Sequence, residues 1–134
     1  TGDTFYGALL LASGTFNASS TAYTGTVGSV TMSGEVSGTN YTAGGVAVTN
    51  ATAPNSTNTS STAGVAYWTP SASFVYTNVT ITTAFDTVLL YNSTQSNKSV
   101  SVHTFGAQTV TAGTFTLTMP TNNTSTALLR LATT

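Results

Sequence analysis

The stretch TFTLTM, residues 114–119, alternates without a break: Phe115, Leu117 and Met119 fall on one side, Thr114, Thr116 and Thr118 on the other. A period of two is that of a β-strand with one buried face. Threonine is β-branched and suits the pleated surface opposite. What that outer face lacks is charge. No Lys, Arg, Asp or Glu stands between Lys98 and Arg130.

The same neutrality holds throughout. Charged residues make up 4% of the 134, against about a quarter of an ordinary globular chain. They are Asp3, Glu35, Asp86, Lys98 and Arg130, with His103 the single imidazole and a net charge of −1. That lies below the magnitude of about 2 to 8 that keeps a small domain dispersed. A 40% apolar fraction and clear strand patterns set the chain apart from unstructured Ser/Thr-rich stalks. They point to one β domain, residues 1–134, that is packed among copies of itself or its partners. Two cationic side chains cannot neutralise a phosphate track, so no nucleic acid is expected as partner. No apolar run reaches the length of a membrane span, and TGDTFYGALLLAS has no cationic lead of the kind a signal peptide carries. The absence of cysteine excludes a disulfide framework, thiolate zinc and a cysteine nucleophile.

Along the chain, strands are expected at 5–12, 27–36 (Val30 and Met32 alternating), 41–50, 73–82, 84–92, 98–105, 114–119 and 127–132. The run AFDTVLLYN is more continuously apolar and belongs at the centre of a sheet. Gly44-Gly45 suggests a bulge or turn, and residues 51–64 read as a long exposed loop. No window shows helical periodicity. Short strands with Gly/Asn/Ser punctuation give an all-β, antiparallel β-sandwich, jelly-roll-like.

Chemistry has few carriers. His103 titrates near neutral pH, yet no nucleophile motif accompanies it, and a structural or interfacial role is expected. Asp86 lies inside the apolar AFDTVLLY and needs partners if buried; loop amides, Arg130 or Lys98 are the expected ones. No calcium-loop spacing occurs, and no metal or cofactor is expected. Tyr67, Trp68 and Tyr76 are candidates either for stacking a glycan or for plugging the core or a subunit interface. Every asparagine is followed two places on by Ser or Thr with no proline between. That pattern fits N-glycosylation or a recurrent turn chemistry.

Three stretches together, GEVSGTNYTAGGVAVT (34–49), residues 66–102 from AYWTP to KSVSV, and FGAQTVTAGTFTLTMP (105–120), resemble a family of small bacteriophage virion proteins labelled head decoration, cement or tail fibre. The resemblance spans most of the chain. It implies E-V-S-G-x-x-Y entering a strand, W-x-x-V-T-I-T, an F-D strand and a V-T-A-G-T-F turn-and-strand. It implies no catalytic residues. Such proteins often carry Arg or Lys near the Y-x-x-G-G stretch, and here there is none. The implied function is non-enzymatic: a capsid decoration protein on the outer surface of a virion assembled in the host cytoplasm. Its partners would be the major capsid protein and sister subunits, as a homo-oligomer. The alternatives are a tail-fibre or adhesin domain reading host glycans, and a glycosylated extracellular filament subunit.

Overall fold

The computed structural model describes residues 2–48, 53–59 and 63–132. Among these residues seven strands form two antiparallel sheets and there is no helix, so none is long and apolar enough to cross a membrane. The strands are β1 Phe5–Leu11, β2 Val46–Val48, β3 Asn55–Ser56, β4 Val65–Trp68, β5 Phe74–Asn92, β6 Lys98–Leu117 and β7 Leu129–Ala132. The larger sheet runs β2-β1-β5-β6 and the smaller β3-β4-β7. This bears out the all-β, two-sheet expectation; the strand orders do not establish a jelly-roll connection pattern.

The larger sheet is covered on both faces. Leu9, Val88 and Leu90 lie in one apolar cluster with Trp68 of the smaller sheet, and Leu129 packs against it. Their neighbours Ala8, Leu10, Leu89 and Tyr91 lie in a second cluster with Tyr23, flanked by Phe16, Val27 and Met32. Successive residues of a strand point to opposite faces, so these two clusters are the two sides of one sheet. Double burial explains the unbroken apolar runs in β1 and β5. It also places AFDTVLLYN centrally, as expected: β5 is paired by β1 on one edge and β6 on the other.

Four expectations need correction. The 27–36 stretch is no strand: Thr26 and Val30 close a tight turn through reciprocal backbone bonds of 2.7 and 2.9 Å, and Val30 is 56% exposed. Gly28 and Gly34 take positive φ (82° and 80°) there, which breaks any ladder. Stretches 73–82 and 84–92 form the single strand β5, and 98–105 and 114–119 fall in β6, reaching Leu117. The residues between them stay paired because register shifts absorb the irregularities, including Ala112 at φ 47°. The supposed loop 51–64 contains β3, which pairs with the unforeseen β4; residues 51, 52 and 60–62 lie outside the described residues. Strand 41–50 shortens to β2, with 49 and 50 also outside them, and 127–132 shortens to β7.

Candidate functional site

The most elaborate polar centre is built on Glu35, which is 6% exposed. Segment Gly34–Val36 continues along the edge of β1 beyond β2: Leu11 N–H donates to the Gly34 carbonyl at 2.8 Å, and Val36 N–H to the Leu9 carbonyl at 3.0 Å. The Glu35 carboxylate then faces four donors. Oε1 accepts from the Tyr41 hydroxyl at 2.8 Å and Gly44 N–H at 2.6 Å. Oε2 accepts from the Tyr23 hydroxyl and Met32 N–H, both at 2.8 Å. The Tyr41 hydroxyl also accepts Leu9 N–H at 3.0 Å, closing the gap along the β1 edge between β2 and Gly34–Val36.

Two more tyrosines complete the arrangement. Tyr76 donates to the Gly7 carbonyl at 2.7 Å and Tyr91 to the Gly44 carbonyl at 2.9 Å. Tyr23 stacks on Tyr91 with centroids 4.6 Å apart, and Tyr41 on Tyr76 at 6.0 Å. Burial, followed by the nearby carboxylate, pushes the hydroxyls of Tyr23 and Tyr41 far above the usual phenol range. Gly45 sits at φ 78°, and a Cβ there would overlap the Gly7 carbonyl. A Cβ at Gly38 would likewise overlap the Thr80 carbonyl. E-V-S-G-x-x-Y-x-x-G-G is thus one hydrogen-bonded knot, and its chemistry is structural.

The three aromatic candidates do not form one platform, although Tyr67 and Trp68 both line one cleft. Tyr67 and Trp68 are consecutive on β4 and so point to opposite faces. Trp68 is buried, with its ring 5.2 Å from Phe5. Tyr67 is half-buried and in register with Asn55 of β3 and Arg130 of β7. Tyr76 is 2% exposed and held inside the core by its bond to Gly7. A single stacking platform from Tyr67, Trp68 and Tyr76 is therefore not formed. What does open at this end is an apolar cleft of about 480 Å³ where Phe5 and Val100 of the larger sheet meet β4 and β7. Leu131, 69% exposed, stands on its wall, and Arg130 is the charged residue there.

Among the described residues, neither titratable suspect has a hydrogen-bond partner that would activate it. His103 is half-buried, its Nε2 2.9 Å from the Ser101 hydroxyl, and burial lowers its pKa. Asp86 accepts the Thr87 hydroxyl at 2.7 Å, in place of the expected Arg130 or Lys98; the Arg130 Nε donates instead to the Thr124 carbonyl at 2.8 Å. Among the described residues no group of three His, Cys, Asp or Glu could hold a metal ion.

Sequence reasoning passed over Glu35, whose signal was its spacing to Tyr41 and Gly44. No family model, curated protein or solved structure matches the chain.

Proposed function

We propose that this chain is a non-enzymatic structural protein of a phage virion, a decoration subunit that binds the outer capsid and bridges capsomer junctions together with sister copies. The observation that carries the reading is the hydroxyl-rich, nearly uncharged exterior of the β5–β6 ribbon, whose charged residues are the half-buried Asp86 and, at one end, Lys98. Thr77, Thr82, Thr83, Thr109, Thr111, Thr114 and Thr116 are all exposed on it, with no charged side chain between Lys98 and Arg130. Hydroxyl and apolar surface can be covered by a partner without stripping water from ions, which is the costly part of burying charge. The exposed Val30, Val75 and Leu131 add apolar contact area. An isolated subunit with so little charge has weak protection of its strand edges, whereas a particle supplies colloidal stability collectively.

Two measurements test this. Imaging of particles should place the subunit on the head in hundreds of copies; a few dozen copies on the tail would instead support the fibre alternative. Particles washed in rising sodium chloride should keep it up to near-molar concentration, since screening acts over about 10 Å at 0.1 M and weakens chiefly exposed charge pairs. Release at low salt would sink the neutral-interface mechanism.

A further inference from the structure

We propose that the groove between segment 16–22 and the edge of β6 binds a neutral polyhydroxylated ligand, a glycan segment of two or three sugar units. The inference does not rest on the virion reading. The groove encloses about 840 Å³, within the roughly 300 to 1,000 Å³ typical of small-molecule sites. Its polar wall is hydroxyl and amide: Asn17, Ser20, Thr21, Ser96, Ser101 and Thr104. Hydroxyls both donate and accept, which matches a sugar's row of hydroxyls. Phe16 supplies an aromatic ring, and Val102, which packs on the same side as Phe16, an apolar floor on which sugar C–H groups can rest. Lys98 is the single charged lining residue, so neither a polyanion nor a cation finds its counter-charge.

Ser99 adds a second, independent observation. Its hydroxyl oxygen is buried and meets no hydrogen-bond partner, and such an orphan demands an explanation. Ser99 lines the groove, and another staggered position about Cα–Cβ would turn the hydroxyl toward it. A peptide strand added to β6 is the competing occupant of a groove beside a sheet edge. That end of the edge is already taken: Ser99 N–H donates to the Thr21 carbonyl at 3.0 Å, Tyr23 N–H to the Asn97 carbonyl at 2.9 Å, and Ala22 bridges to Lys98.

The test is a titration of the whole, isotope-labelled chain with lactose, maltotriose and the N-acetylglucosamine trimer, followed by amide chemical shifts. At least one probe should move the amides of Thr21, Ser99 and Val102 saturably, with a Kd of about 1 mM or tighter, and equally in low and high salt. Thr21→Val, at an exposed position, should weaken that binding by about tenfold while leaving the spectrum folded; Phe16→Leu should weaken it too, and Thr116→Ser should leave it unchanged. Shifts that map elsewhere, no saturable shift with any probe, or undiminished binding by both groove variants would overturn the proposal. So would preferential binding of inorganic phosphate.

Discussion

Replacing Glu35 with glutamine keeps the shape of the side chain and changes what it offers. A carboxylate presents acceptors only, and all four groups around it are donors. Glutamine puts an NH₂ against two of them, leaving a buried backbone N–H, of Met32 or Gly44, unpaired and removing the charge from the other bonds. Glu35→Gln should therefore cost about 3 to 5 kcal/mol in denaturant unfolding; a loss under 1 kcal/mol would show the centre to be dispensable. His103 works through pH. Its neutral form is favoured in the fold because burial lowers its pKa below the ordinary 6.5. The folded state thus binds less proton than the unfolded chain, and stability should decline as pH falls through 6.5 toward the lowered folded value. His103→Gln should flatten that decline between about pH 7 and pH 5, and an unchanged slope would assign it to other groups. The asparagines show why the N-x-S/T tally was ambiguous. Asn17, Asn92 and Asn123 turn their Oδ1 onto backbone N–H groups two or three residues on, which is turn chemistry. Asn40, Asn78 and Asn97 occupy positive φ, a conformation asparagine tolerates.

At the scale of elements, period-two patterning was informative wherever a long partner existed. Phe115, Leu117 and Met119 pack against the core while Thr114, Thr116 and Thr118 are exposed, as the alternation required. The same kind of alternation around Val30 and Met32 misled, because left-handed glycines on either side curl that segment into turns before a ladder can form. Pattern records which side chains want burial; it does not record whether the backbone can stay extended. Nor could it show that two strands merge, since bulges look like breaks in a linear reading. Leu89 and Leu90 are both 0% exposed and face opposite clusters. Leu89→Ala and Leu90→Ala should each cost about 2 to 5 kcal/mol, while Thr116→Ser should cost well under 1 kcal/mol. Equal tolerance at all three positions, measured by chemical denaturation, would contradict double burial of β5.

For the whole molecule, the all-β class was legible in composition and alternation, but the polar centre was not. Its members come from the irregular segments at residues 23, 32, 35, 41 and 44, where no periodicity marks them, whereas Asp86 drew notice only because its neighbours are apolar. The strand order has one more consequence, in time. β5 and β6 are joined by the short turn around Ser93–Asn97 and can zip together locally, but β1 pairs Phe5 with Asn92 and Leu11 with Phe85. Closing so long a loop is slow relative to a hairpin, and β-rich chains of this kind fold in about milliseconds to seconds. Pulse-labelled hydrogen exchange during refolding should find β5 and β6 amides protected before those of β1; protection of β1 first would refute that order. On the ribosome the disparity is sharper. The apolar run Ala8–Leu11 leaves the ribosome well ahead of residues 85–92; Gly34–Val36 can bond one of its edges sooner, but the edge that β5 covers stays open and aggregation-prone until those residues follow.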